Sequence, residues 1–126
     1  MKENEISGII LDAAIEVHRV LGGPGLLESV YEEALVCELT MRKLNVERQA
    51  MVPIVYKGHV LGTPLRLDLL VEQSVIVECK AVVDYNPIFQ SQVLTYLRLT
   101  GKHLGIVINF GAKTIKEGFY RVANNL

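Results

Sequence analysis

The stretch "DLLVEQSVIVECK", residues 68–80, decides how the chain is read. Val75 to Cys79 has the apolar, β-branched character of a buried strand, and the run ending at Val71 has the same character. Between them lies a short polar connection, so the two runs form an antiparallel hairpin. Three charges interrupt it: Asp68 on the first strand, Glu78 and Lys80 on the second. Strand side chains alternate faces, so Glu78 and Lys80 share one face while Val77 and Cys79 share the other. The Cα atoms of Glu78 and Lys80 are then about 6.6 Å apart, close enough for both groups to approach one small ligand.

The connection length fixes the partner of Glu78. A two-residue loop of Gln73 and Ser74 would set Asp68 opposite Cys79, facing away from Glu78. A three-residue connection, Glu72-Gln73-Ser74, or a bulge, sets Asp68 opposite Glu78. Neither Gln73 nor Ser74 favours a tight primed turn, so the longer connection is expected. Two opposed carboxylates repel unless a proton or a divalent cation lies between them. Hard oxygen ligands with positions left for water and phosphate suit Mg²⁺. An acid-x-lysine triplet arises by chance about once in a chain with this many acids and lysines. Lys80 could equally be a counter-ion for Glu78 or Asp68 at a sheet end.

Working outward, Asn86 caps a helix that has Pro87 at its first position and runs to about Thr100, where Gly101 stops it. "LGIVINF", residues 104–110, is a strand covered on both faces. The strand at 75–82, this helix and the strand at 104–110 form a right-handed crossover with the two strands parallel. The tail "GFYRVANNL" is one more short strand. Upstream, Ile6, Ile9, Ile10, Ala13, Ala14, Val17, Val20 and Leu21 predict an amphipathic helix over about 5–21. "GGPG", residues 22–25, ends it and opens a second helix over 26–43, with Leu27, Val30, Tyr31, Ala34, Leu35 and Leu39 apolar. It lacks the Gly-Lys-Ser/Thr ending of a phosphate loop. From Val46 the period becomes two: "ERQAMVPIVYKG", then "HVLGTPLRLDLLV", then "VIVECKAV" form a three-strand meander, with an edge or bulge at Pro53. The order helix, helix, three strands, helix, strand, strand is a layered α/β fold in one domain over residues 1–126.

Half of the 126 residues are apolar, enough for one compact core, and the net charge is −1. Scattered charges of both signs argue against a disordered tail or a nucleic-acid packaging protein, though not against a local basic patch. The opening "MKENEISGII" does not read as a secretory leader, and no apolar run reaches the ~18 residues of a membrane span. A cytoplasmic protein is expected. Cys37 and Cys79 are too few for a disulfide framework and read as small core residues. His18, His59 and His103 have no ligand spacing, and Ser29 and Ser91 have no evident histidine-acid partners. Arg19, Arg98 and Lys102 read as solvated surface charges.

Asp68, then Glu78-Cys79-Lys80, then Gln92-Val-Leu-Thr-Tyr96 on the next helix, resembles the PD-(D/E)XK nuclease superfamily, the last element matching the Gln-x-x-x-Tyr of its RecB-like branch. "GLLESVY", residues 25–31, resembles the small GxxExxY proteins through Gly25, Glu28 and Tyr31. The likeness runs from the first helix through "INFG" and implies a restriction-endonuclease-like core: a three-strand antiparallel meander, a helix crossover to a parallel strand, and helices flanking the sheet. It departs from the usual Pro-Asp pair, since Leu67 precedes Asp68.

The resemblance implies a nuclease that hydrolyses phosphodiesters with water activated by Mg²⁺ or Mn²⁺, on nucleic acid and on DNA in particular. Asp68, Glu78 and the main-chain carbonyl of Cys79 would hold the metal, and Lys80 would position the water or steady developing charge. Glu28 would be a further acidic ligand, with Glu32 a possible substitute; a first-turn glutamate is equally what a helix dipole favours. Gln92 would orient Lys80 or hold a phosphate. Tyr96 would meet substrate or simply pack. Arg66, on the Asp68 face, would contact a phosphate or pair with an acid. Against a stand-alone nuclease stands a pI near 6.3 without a broad basic stripe. So small a chain could take its grip from a homodimer. The alternative is a non-catalytic nuclease-fold protein that binds a protein partner or a nucleic-acid end. A metabolic enzyme would need a deep apolar pocket near Tyr96 and Phe89.

Overall fold

The computed structural model describes all residues, 1–126. Three helices, α1 (Glu3–Val20), α2 (Glu28–Met41) and α3 (Ile88–Thr100), flank a sheet of β1 (Val46–Val52), β4 (Leu65–Val71), β5 (Val75–Lys80), β6 (Leu104–Asn109) and β7 (Phe119–Ala123). The strand order is β1-β4-β5-β6-β7, and β2 (Val55–Tyr56) and β3 (His59–Val60) pair as a separate hairpin. β5 and β6 are parallel, joined through α3, and the other neighbours in the main sheet are antiparallel. This is the meander, crossover and parallel strand that the motifs implied.

The faces of the sheet differ because β-strand parity sends alternate residues to each. Val75, Val77 and Cys79 join Ile6, Ile10, Ala14, Tyr31 and Leu35 in the core under α1 and α2. Ile76 goes to the opposite face, where it packs with Val107 and with Val93 and Leu97 of α3. Gly105 lets α3 lie close, since a Cβ there would overlap Val93.

Local chemistry sets the ends. α1 closes with Gly22 and Gly23 at φ 90 and 98, the Gly23 N–H reaching the His18 carbonyl at 2.8 Å and the Gly22 N–H that of Arg19 at 3.2 Å. This is a Schellman close. The Asn86 side chain takes the Ile88 N–H at 3.0 Å, and Gly101 ends α3 at φ 70, as the sequence indicated.

Three expectations are corrected. Residues 47–58 are not one strand: Pro53 has no N–H for the ladder, β1 ends at Val52, and residues 55–60 fold back on themselves. For the same reason residues 59–71 divide at Gly62 and Pro64 into β3 and β4. Cys37 is exposed, as are Leu27 and Val30, because the buried side of α2 runs through Tyr31, Leu35 and Leu39 and these residues lie off it. Val20 and Leu21, at the end of α1, are also exposed.

Candidate functional site

The site begins at the turn between β4 and β5. The register Leu69↔Val77, Leu70↔Ile76 and Val71↔Val75 leaves Glu72, Gln73 and Ser74 as the connection, so the three-residue loop is present. Glu72 and Gln73 both adopt positive φ, 53 and 56, and the Lys102 ammonium donates to the Gln73 carbonyl at 2.7 Å. Continuing this register sets Asp68 opposite Glu78.

At that point the main-chain ladder opens. On the other side of β4, pairing with β1 also skips one position, where Gln49 at φ 55 stands opposite Asp68. Side chains take over. The Asp68 N–H donates to Glu78 Oε2 at 2.8 Å, and the Cys79 N–H donates to Asp68 Oδ2 at 2.9 Å. Two carboxylates are thus pinned in the fork between β4 and β5 with lone pairs to spare. Glu78 is only 8% exposed. Burial first, and the Asp68 carboxylate second, push its pKa up to about 8, against weaker pulls from the Asp68 N–H and Lys80. Without a cation the fork therefore holds a proton at neutral pH.

Lys80 does not touch the pair. Its ammonium makes no ion pair and rests over the Phe89 ring, 4.5 Å from the centroid. Lys80 acts on Glu78 and Glu28 through space, lowering the pKa of each, without a direct ion pair. The Cys79 side chain lies in the α1–α2 core, and burial raises its thiol pKa well above the ordinary value. Glu28, the first residue of α2, has its pKa raised by lost solvation; Lys80 lowers it, and Asp68 and Glu32 raise it, but Glu28 does not stand with Asp68 and Glu78 as a third ligand. Tyr96 packs on the α3 side of the sheet, its hydroxyl pKa raised by burial and then by Glu78 and Asp68. Gln92 is exposed and makes no hydrogen bond, so it does not hold Lys80. Arg66 is exposed and pairs with no acid.

Glu32 is not free to replace Glu28. It is buried, and its oxygens accept from Gln49 Nε2 at 2.7 Å and from an Arg48 amino group at 3.3 Å. Tyr31 explains its own place in the sequence. Its hydroxyl donates to the Gly23 carbonyl at 2.7 Å and accepts the Leu26 N–H at 3.1 Å, while its ring stacks on Phe110 at 4.8 Å. It therefore ties down the turn that leads to Glu28, and Gly25 in that turn has φ 119.

Sequence reasoning missed Asn109. It pairs with Lys80 across β5 and β6 and is 3% exposed. Its amide takes the Val82 and Gly111 N–H groups at 3.0 Å each and donates to the Val82 carbonyl at 3.1 Å. This fixes the chain just after Lys80. The available signal was a lone amide in an otherwise apolar strand.

No three acidic, histidine or cysteine side chains stand together as a complete cation cage. The side-chain donors of any cation are then the Asp68–Glu78 pair, with a main-chain carbonyl and solvent to complete a hard-oxygen shell, a set that fits Mg²⁺ or Mn²⁺. Asp68, Glu78 and Lys80 line none of the molecule's cavities, and no deep pocket forms near Tyr96 and Phe89.

A family model described as the PD-(D/E)XK nuclease superfamily matches residues 4–122. No curated protein and no solved structure matches the chain.

Proposed function

From the premise that the chain belongs to the PD-(D/E)XK nuclease superfamily, we propose that it hydrolyses phosphodiester bonds of nucleic acid, DNA in particular, with a divalent cation at the β4–β5 fork. Narrower kinship to the GxxExxY proteins is part of the proposal, supported by the roles of Gly25, Glu28 and Tyr31 at one turn. The observation that carries the reading is the buried, mutually braced pair Asp68 and Glu78 with an unpaired Lys80 beside it.

Asp68, Glu78 and the Cys79 carbonyl would hold Mg²⁺ or Mn²⁺, with Glu28 at the edge. The cation supplies Lewis-acid polarisation of the phosphoryl group and a lowered pKa for water. The protein's own part is placement and charge. Lys80, held on Phe89 instead of on a carboxylate, can reach a phosphoryl oxygen and offset the charge that builds as water attacks phosphorus. Attack forms one P–O bond, breaks the bond to the leaving oxygen, and delivers a proton to that oxygen. Arg66 and Gln92, exposed and without partners, would take neighbouring phosphates, and Tyr96 would pack against sugar or base.

No helix is long and apolar enough to cross a membrane, and the thiols Cys37 and Cys79 are free, which supports a cytoplasmic setting. Exposed Val20, Leu27 and Val30 support a homodimer. The test is cleavage of labelled single- and double-stranded DNA and RNA with Mg²⁺ or Mn²⁺. Cleavage that disappears in Asp68→Asn and in Glu78→Gln supports the reading. Binding of nucleic acid with no cleavage under any of these conditions would replace it with a non-catalytic nuclease-fold protein.

A further inference from the structure

A concave site lies on the other face of the sheet from the fork. Ile15, His18 and Arg19 near the end of α1 meet Lys113, Ile115 and Lys116 of the loop between β6 and β7 around a cavity of ≈ 290 Å³. The isoleucines supply an apolar wall. Arg19 is engaged with Glu16 at 2.9 Å, but Lys113 and Lys116 are exposed and make no ion pair, so two free cations stand at the opening. His18 forms part of the wall; it is 8% exposed, and its Nε2 has no hydrogen-bond partner. A buried polar nitrogen left without a partner is costly.

An apolar wall, one unsatisfied ring nitrogen and two free ammonium groups together match a molecule with a flat polar-edged ring and an anion. The volume, near the ~300 Å³ lower bound of small-molecule sites, suits a single unit of that kind. The loop carrying the lysines follows directly on β6, whose residue Asn109 pairs with Lys80. The cavity therefore sits at the end of the sheet that carries Lys80, but on the α1 side.

We propose that this cavity binds one nucleoside monophosphate unit, with the base against Ile15 and Ile115 and within reach of His18, and the phosphate at Lys113 and Lys116. The unit is either free or part of a strand that crosses this end of the sheet; the second case rests on the nuclease reading. It would also supply the positive charge that the acidic fork lacks.

The test uses the full chain carrying Glu78→Gln, without divalent cation, so that binding is read apart from cleavage. Calorimetry with a 5′-nucleoside monophosphate, the matching nucleoside, inorganic phosphate and a short single-stranded oligonucleotide is compared with and without Lys113→Ala plus Lys116→Ala. The monophosphate is expected to bind at least tenfold more tightly than either the nucleoside or phosphate alone, and the double substitution to erase that margin. Its melting temperature should not change, since both lysines are exposed. The His18 imidazole NMR signals should shift on titration while those of His59 and His103 stay in place. Oligonucleotide affinity that falls with the lysines assigns the unit to a strand, and affinity indifferent to them assigns it to a free nucleotide. No monophosphate binding, binding unaffected by the lysines, or phosphate binding as tight as the monophosphate overturns the proposal. Cleavage by the wild type is scored separately, so either claim can fail alone.

Discussion

Glu32 and Glu78 are almost equally buried, at 6% and 8% exposure, and their surroundings are opposite. Glu32 lies between α2 and β1, where the Arg48 guanidinium and the Gln49 amide meet its two oxygens. Glu78 lies between β4 and β5, where its neighbour is another carboxylate and the nearest ammonium rests on a phenylalanine ring. The first arrangement resolves the cost of burying a charge inside the fold. The second leaves it for a proton or a cation to resolve. Burial of an acid says little about role until its partners are named.

The largest effect that separates the two is on cleavage. Asp68→Asn and Glu78→Gln should each slow cation-dependent hydrolysis by about 10³-fold or more, roughly 4 kcal/mol of barrier. Glu32→Gln should stay within about tenfold, as steady-state rates on a labelled oligonucleotide would show. Lys80→Met comes next, at about 10²-fold, with a stability change of only about 0.5–1 kcal/mol because the Phe89 ring is its only partner.

Stability should split with opposite signs. Glu32→Ala leaves the Gln49 amide and Arg48 without their acceptor and should cost about 2 kcal/mol in urea melts. Glu78→Gln keeps an acceptor for the Asp68 N–H while removing the ionisation. The folded state holds the Glu78 proton up to about 8, whereas an ordinary glutamate side chain releases it near 4.5. Between those pH values the native state binds more protons than the unfolded chain, so stability falls as pH rises through the window. Thermal melts of the cation-free wild type should therefore decline from pH 5 to pH 8.5, and those of Glu78→Gln should lack that component. At the upper end the variant should be the more stable by on the order of 2 kcal/mol. The smallest effect on cleavage belongs to Tyr31→Phe, which loses the ties to Gly23 and Leu26; a few-fold in rate and about 1 kcal/mol of stability are expected.

The fork was legible in the sequence because a strand period of two and one loop length determine which residues oppose. The residue types that made a tight primed turn unattractive still form a connection with Glu72 and Gln73 at positive φ, so the length was readable and the backbone geometry was not. The helix crossover was readable from Asn86, Pro87 and Gly101, whose effects are local. Phe89 under Lys80, Arg48 on Glu32 and Asn109 on Val82 were not, since each depends on a partner brought in by tertiary packing. The exposure of Cys37 shows the same limit. An apolar helical residue is assigned to the core only once the neighbour that covers it is known.

The most direct measurement is calorimetric titration of Mg²⁺ and Mn²⁺ into the wild type and Glu78→Gln at pH 7.5, in buffers of different ionisation enthalpy. The expected result is binding by the wild type with release of up to one proton, as the cation displaces the proton held at Glu78. The variant should bind far more weakly and release none. Absence of cation binding in the wild type, or equal binding with no proton release in both proteins, would contradict the assignment of the Asp68–Glu78 fork as the cation site.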